Sequence, residues 1–421
     1  MIFVKNVENN PKKIVVKYGG SSLANSDRIQ AAAMAVVKEA AKGTHIAVVV
    51  SAMGKTTDQL LHTVKNASRG NIKEEDLDEV LSMGERTSVR IFAATLRAHG
   101  LKARYFDPSD DDWPIITDNI FSNANPILEE CERRIRQHVL PLFNEGVMPV
   151  IAGFVGKTVD GKITTLGRGG SDTTAFILAK ALGANEVILV TDVDGIMTAD
   201  PKIVKNPQRI REIDVNTLVG LADAGTKFIH RKALEYKDPK INVRVISYQH
   251  GDLNKDGTVI SGGLETELNV TLASQYPIAS ITVVGHGLSQ MPSVIGELIE
   301  KVKNHSSLLG SSLDHNSMVL FVSEHNNIEQ LINEVHETIL GCQEAVAMSV
   351  RRNLAFLRVS GVGLEETPGL IGKISEPLRL HGINIYGILT NTSSILLFVS
   401  WEEREKVLGL IKSSLGLNGG E

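Results

Sequence analysis

The stretch Gly167-Arg168-Gly169-Gly170-Ser171-Asp172-Thr173-Thr174 concentrates groups that can act on an anion. Its glycines let the backbone approach a ligand without side-chain interference. Arg168 carries a planar fork suited to a carboxylate or a phosphate. Ser171, Asp172 and two threonines lead into the apolar run Ala175-Phe176-Ile177-Leu178-Ala179. That order reads as a loop entering a helix through a capped N-terminus, where unpaired N–H groups favour an anion. The segment offers an anion cradle, a fixed cation and a carboxylate able to orient a lysine or hold a metal ion. Taken alone, it also fits an ordinary glycine-rich turn with a helix cap.

Polar residues stand at the ends of four apolar runs. Ile14-Val15-Val16 ends in Lys17-Tyr18-Gly19-Gly20-Ser21-Ser22, and a helical pattern follows through Ala41. Ile46 to Val50 ends at Ser51-Ala52-Met53-Gly54, Val147 to Ala152 at Gly153-Phe154, and Val187 to Val190 at Thr191-Asp192. The runs are continuous rather than alternating, which predicts strands covered on both faces. Helical segments separate them, so the expected fold class is α/β, a layered domain with a largely parallel sheet. In open α/β sheets ligands bind outside the carboxyl ends of the strands. Lys17, Ser51, Phe154 and Asp192 are therefore expected to converge.

The chain of 421 residues is too long for one ordinary core. Its 42% hydrophobic and 22% charged residues are those of a soluble globular protein. A net charge of −5 without a dense Lys/Arg patch argues against nucleic acid as a partner. Cys131 and Cys342 suggest neither a metal-spaced pair nor a disulfide framework, which fits a cytoplasmic location. The N-terminus lacks signal-peptide character, and no apolar run is long enough to span a bilayer.

After about residue 260 the character changes at the turn-rich Gly257-Thr258 and Ser261-Gly262-Gly263. Two similar units follow. The first has strands at Ile278–Val284, Leu308–Leu313 and Met318–Val322, with helices from about Pro292 and after the third strand. The second has strands at Leu354–Val359, Ile383–Leu389 and Ile395–Val399, with helices near Thr367-Pro368-Gly369 and over Glu402–Ser413. Each reads βαββα. The strand Glu344–Val350 can close either copy, and the second has no final strand of its own, so an intertwined pair is expected.

The ordered set Lys17-Tyr18-Gly19-Gly20-Ser21-Ser22, Ser82-Met83-Gly84-Glu85, Gly167 to Thr174 and Thr191-Asp192-Val193-Asp194-Gly195-Ile196 resembles the aspartate kinase family. The paired βαββα units resemble its tandem ACT regulatory domains. The resemblance covers nearly the whole chain. It implies an αβα sandwich of the amino-acid-kinase fold over 1–263, then two ferredoxin-like βαββαβ ACT domains over 264–350 and 351–421. It also implies ATP-dependent phosphorylation of the L-aspartate side-chain carboxylate to 4-phospho-L-aspartate, which opens the route to lysine, threonine, methionine and isoleucine. No Walker motif is present: Gly54-Lys55-Thr56 lacks the upstream glycine.

A carboxylate nucleophile is ionised at neutral pH and needs no general base. Alignment and charge neutralisation must be supplied instead. Lys17, at a strand end beside Gly19, Gly20 and Ser21, suits that task, although an exposed strand terminus is the plainer reading. By the resemblance, Glu85 binds the substrate ammonium group, Arg168 clamps its α-carboxylate, and Thr57, Phe154 and Ser171 line the same pocket. Asp172 organises Lys17 and the phosphate region, with a helix N-cap as its plainer role. The resemblance places Thr191, Asp192, Met197, Lys202 and Lys227 at the nucleotide. Mg²⁺ is expected on phosphate oxygens and water rather than on dedicated protein ligands. A homodimer or larger homo-oligomer is expected through the ACT domains, with lysine or threonine as candidate effectors.

Several residues depart from the family pattern. Met197 replaces a tyrosine, Lys202 an arginine and Arg231 a proline, while His230 reads as structural. In the first ACT-like copy Ser293 follows Pro292 where glycine is usual, and Leu389 to Ser394 also differs. These changes point to an altered or lost feedback site. The alternatives are a kinase for glutamate, acetylglutamate or a nucleoside monophosphate, and a non-catalytic amino-acid sensor.

Overall fold

The four apolar runs become neighbouring parallel strands in the computed structural model. It describes residues 11–200, 203–223, 229–264, 268–325, 327–361, 364, 368–391 and 394–417. The chain divides into two units, Met1–Leu264 and Glu265–Glu421.

The first unit runs β1 (Lys13–Tyr18), α1 (Ser26–Ala40), β2 (His45–Val50), α2 (Thr56–Ala67), α3 (Glu74–Ala98), β3 (Ala103–Phe106) and β4 (Ile116–Thr117). It continues with α4 (Leu128–Arg134), α5 (Pro141–Asn144), β5 (Met148–Ala152), β6 (Val155–Thr158), β7 (Ile163–Thr165), α6 (Gly170–Leu182) and β8 (Glu186–Thr191). Its last elements are β9 (Glu212–Asp214), α7 (Val215–Asp223), α8 (Arg231–Leu234), β10 (Asn242–Ser247) and β11 (Thr258–Ser261). The main sheet has the order β3-β5-β2-β1-β8-β10-β11-β9, and β4-β6-β7 form a small second sheet. The strands from β3 to β10 are mutually parallel, while β11 runs antiparallel to β10.

Every residue from Ile46 to Val50 is buried, odd and even positions alike, so both faces of β2 are covered. On one side α1 and α3 pack together over β2, and α6 packs with α4 and α8 against β1, β2 and β8. Burying each such valine stabilises the fold by about 1.5–3 kcal/mol. Asn25 caps α1 by accepting the Arg28 N–H at 3.0 Å, an interaction of about 1 kcal/mol. The helix α6 is buried nearly all round, which explains its unbroken apolar run. The unit is an αβα sandwich.

The second unit comprises β12 (Asn269–Leu272), β13 (Ile278–Gly285), α9 (Pro292–His305), β14 (Leu308–Leu313), β15 (Ser317–Ser323), α10 (Ile328–Leu340) and β16 (Ala345–Ser360). After these come α11 (Leu370–Leu380), β17 (Gly387–Asn391), β18 (Ser394–Ser400) and α12 (Arg404–Ser414). The sequence leaves the strand near 344–350 free to close either copy; here it pairs with β13 and closes the first. It then continues without a break into the first strand of the second copy, which pairs with β18. The final strand missing from the second copy is β12, antiparallel to β16 at Leu357–Ser360. Each copy thus completes a ferredoxin-like βαββαβ set with strand order second-third-first-fourth.

Each copy has its own core between strands and helices. A third cluster contains strand residues from both, with Phe321 and Phe398 stacked at 3.6 Å between ring centroids. The strand expected at Ile383–Leu389 begins only at Gly387, a glycine packed so closely on Phe321 that a Cβ would stand 2.7 Å from its Cζ. Among the described residues, no helix is long and apolar enough to cross a membrane.

Candidate active site

Parallel pairing sets the carboxyl ends of β2, β1 and β8 side by side, with Tyr18 opposite both Val50 and Val190. β5 extends the row beyond β2. Backbone bonds tie the departing loops together: Gly19 N donates to Val190 O at 3.1 Å, Ser51 N to Tyr18 O at 3.1 Å, and Gly153 N to Val50 O at 2.9 Å. At Gly20 two loops touch. A Cβ there would stand 2.8 Å from Ala52 O and 3.0 Å from Gly54 O, so the position admits no side chain.

Beside this row lies an open cleft of about 290 Å³. It is lined by Lys17, Ser51, Thr57, Glu85, Phe154, Arg168, Ser171 and Asp172, together with Gly167, Gly169 and Gly170. Lys17 Nζ lies 2.7 Å from Asp172 Oδ1, with 16% and 11% of the two side chains exposed. The contact is an ion pair rather than a well-directed hydrogen bond. The sequence suggests a side-chain cap at the start of α6, with Asp172 a candidate. Instead Gly169 occupies the cap position in the left-handed region, φ 78, with no side chain capping it. Glycine reaches that conformation freely, and Asp172, in the first turn, is left to meet Lys17.

Glu85 lies well inside α3 rather than at its start. Gly84 makes this possible, since a Cβ there would stand 2.9 Å from that of Ala52. The Glu85 carboxylate is 3% exposed. Its Oε1 accepts the Ala52 N–H at 3.1 Å, while Oε2 is buried with no partner among the described residues. Burial pushes this carboxyl up to about 7, opposed by the Ala52 N–H. Opposite charge within reach of Oε2 would reverse that shift.

Arg168 is exposed and stands between Gly167, φ 72, and Gly169, φ 78. It has no hydrogen-bond or ion-pair partner among the described residues. Phe154 adopts φ 66, and Val155 N donates to Gly153 O at 2.7 Å across it. This is a γ-turn of the rare positive-φ kind, strained for a bulky residue. Gly153 leaves room for Ser171, whose Cβ would be 2.8 Å from a Cβ on the glycine. Ser51 Oγ donates to Ser171 Oγ at 2.9 Å, a bridge across the cleft that marks Ser51 as a lining residue as well as a strand end.

Thr191, Asp192 and Met197 do not line this cleft; they leave the end of the adjacent β8. Thr191 Oγ1 donates to Asp192 Oδ1 at 3.1 Å. The following loop is pinned through Asp194, which meets His250 Nε2 at 2.6 Å and Arg209 at 3.3 Å. Met197 forms an antiparallel bridge with Arg209. Gly19, Gly20 and Ser21 lie between the two groups, at the turn that opens with the Gly20–Leu23 3₁₀ helix. Lys202 and Lys227 fall outside the described residues, as does Thr367. No group of three His, Cys, Asp or Glu able to hold a metal occurs among the described residues.

Residues 12–247 match the amino acid kinase family. The chain is 31% identical to an aspartokinase of Bacillus sp. (strain MGA3), over 96% of this chain and 98% of that protein. It is 34% identical to the aspartokinase of Geobacillus stearothermophilus, over 88% of this chain and 89% of that one. The crystal structure of aspartate kinase from Synechocystis shares the fold, with a TM-score of 0.74 at 24% identity over 97% of this chain and 70% of that one. So does E. coli aspartokinase III, solved in complex with aspartate and ADP, with a TM-score of 0.54 at 24% identity over 96% of this chain and 100% of that one. With whole-length relatives and a cleft at the expected strand ends, the chain belongs to the aspartokinase family of amino acid kinases.

Proposed function

We propose that this kinase transfers the γ-phosphoryl group of Mg-ATP to the side-chain carboxylate of L-aspartate, giving 4-phospho-L-aspartate and ADP. The observation that carries the reading is the content of the cleft. A buried carboxylate, Glu85, with an oxygen unpartnered among the described residues shares it with an arginine that has no ion-pair partner among them, Arg168, and with the Lys17–Asp172 pair. An α-amino acid presents an ammonium group for the first and a carboxylate for the second. Thr57, Phe154, Ser51 and Ser171 bound the space left for its side chain.

The Gly19-Gly20-Ser21 turn, kept tight where Gly20 packs against the Ala52 and Gly54 carbonyls, presents the N–H of Ser21 beside Lys17 Nζ, and both suit phosphate oxygens. Mg-ATP supplies the phosphoryl group there. Thr191, Asp192 and Met197 are assigned to the nucleoside end, and Lys202 and Lys227 to the nucleotide phosphates. One oxygen of the substrate side chain attacks the γ-phosphorus, the bond to the bridging oxygen breaks, and ADP leaves with that electron pair. No proton has to move, so Lys17 acts by neutralising charge and Asp172 by holding Lys17 in place.

We assign 1–263 to catalysis, and 264–350 and 351–421, with β12 of the former segment completing the second copy, to ACT-like modules that join subunits into a homodimer or larger assembly in the cytoplasm. The product would feed lysine, threonine, methionine and isoleucine synthesis. An amino-acid effector, lysine or threonine, would bind at a helix entry such as that after Gly369, φ 79. In the first copy Ser293 stands at the corresponding entry, which favours altered or lost feedback. Calorimetric titration tests this, and tight lysine binding would sink the lost-site version. The function is tested by ADP release with Mg-ATP and L-aspartate, trapping the acyl phosphate with hydroxylamine. Aspartate-dependent hydroxamate supports the reading. Turnover with glutamate instead would replace the substrate, and no turnover with any amino acid would replace the kinase by a sensor.

A further inference from the structure

The strand that leads into Gly167-Arg168 is held by two charges outside the cleft. Asp78, on α3, is fully buried. Its Oδ2 accepts the N–H groups of Ser122 and Thr165, both at 2.8 Å. Its Oδ1 accepts the hydroxyls of Thr165 at 2.9 Å and Ser122 at 3.2 Å. Burying a carboxylate without a cation is costly, and four donors compensate here. Lys232 grips the same two segments with the opposite polarity. Its Nζ donates to Asn123 O at 3.1 Å, Asn123 Oδ1 at 2.8 Å, Ala124 O at 3.0 Å and Leu166 O at 3.1 Å.

The segments are also joined to each other, Ala124 N donating to Thr165 O at 2.9 Å, and Leu166 N donates to Phe154 O at 2.8 Å. Both N–H groups and both carbonyls of Thr165 and Leu166 are therefore engaged immediately before the Arg168 loop. Asp78 and Glu85 are two helical turns apart on one face of α3. A single helix carries the cleft's carboxylate and the anchor of the strand that delivers its guanidinium.

We propose that Asp78 and Lys232 are positioning residues that set Arg168 relative to Glu85 and so determine how tightly the amino-acid substrate is held. The inference rests on the function proposed above. Asp78→Ala leaves two buried N–H groups without acceptors. Asp78→Asn keeps an oxygen for them, and the two hydroxyls can turn to accept from the new amide. Lys232→Met keeps the aliphatic stem and removes the donors.

The test measures KM for L-aspartate, KM for Mg-ATP, kcat and melting temperature in these three variants. Displacing the clamp is expected to raise KM for aspartate about tenfold in Asp78→Ala and Lys232→Met. The Asp78→Asn variant should stay within about twofold of the parent, and KM for Mg-ATP should hold in all three. A purely structural role lowers the active fraction and the melting temperature without moving KM, and that pattern overturns the proposal. So does an equal rise in both KM values. If Asp78→Ala does not fold, Lys232→Met carries the test. Absence of aspartate turnover in the unaltered protein would overturn the functional reading alone. Anchoring is then judged by hydrogen exchange over residues 166–170. Exchange there should speed up in Lys232→Met, and unchanged exchange overturns the anchoring.

Discussion

Replacing Glu85 by glutamine should make the protein more stable and a poorer kinase. Burial raises the Glu85 carboxyl from 4.5 to about 7. At 1.36 kcal/mol per unit, that shift corresponds to about 3 kcal/mol. Below pH 4.5 the group is protonated in folded and unfolded chains alike, and no penalty arises. As pH rises from there to about 7, the unfolded chain releases the proton while the folded chain keeps it, so stability falls. Above about 7 the full cost of the buried anion is present. Glu85→Gln retains an oxygen for the Ala52 N–H and cannot ionise. Its stability advantage should therefore be about 3 kcal/mol at alkaline pH and vanish in acid. Urea unfolding of both proteins across this range reads the difference, in which other titrating groups cancel. The same change removes the proposed charged partner of the substrate ammonium, worth about 1.5–3 kcal/mol, or roughly 10- to 150-fold in kcat/KM for aspartate. In the parent, kcat/KM should fall as pH drops below about 7, and this limb should be absent from the variant. A variant less stable than the parent at alkaline pH, or one that keeps the acid limb, would refute the reasoning.

Three further outcomes follow from the cleft. Lys17→Met should lower kcat by about 10²–10³ while leaving KM for aspartate near its original value, measured by initial rates. Arg168→Lys keeps the charge but loses the two-pronged fork, so KM for aspartate should rise about tenfold with KM for Mg-ATP unmoved. Gly20→Ala forces a Cβ to 2.8 Å from Ala52 O. It should cost about 1–3 kcal/mol in thermal unfolding and weaken Mg-ATP binding measured by calorimetry.

Much of the sandwich is legible in the sequence because its central strands are buried on both faces. Ile46 to Val50 could hardly be written otherwise. The edge of the same sheet is less visible. β10 is interrupted by Arg244, which is accommodated by a bond to Glu186 on the neighbouring strand at 2.7 Å. β11 lies among the glycines that read as a domain boundary. In the second unit, β12 is four residues long, too short for periodicity to register. The continuous β16 crosses Arg351-Arg352-Asn353, and Asn353 takes φ 56, which a strand pattern does not announce. At the site, Lys17, Phe154, Arg168, Ser171 and Asp172 stand out in sequence because they sit in or beside glycine-rich stretches or at strand ends, whereas Thr57, inside α2, and the role of Glu85 come only from the family resemblance. Asp78 and Lys232 carry no such signal. Each is an ordinary helical charge, and their grip on Thr165 and Leu166, 87 and 66 residues away, exists only in three dimensions. The Gly169 cap escaped for a related reason: a left-handed cap is a backbone property, and the adjacent serine and aspartate imitate a side-chain cap.

The most direct test of the central claim is a crystal structure with L-aspartate and a non-hydrolysable ATP analogue with Mg²⁺. The account predicts the aspartate ammonium within about 2.7–3.2 Å of Glu85, its α-carboxylate on Arg168, and its side-chain carboxylate turned towards Lys17 and the γ-phosphate. Aspartate bound with its side chain on Arg168, or bound outside this cleft, would contradict it.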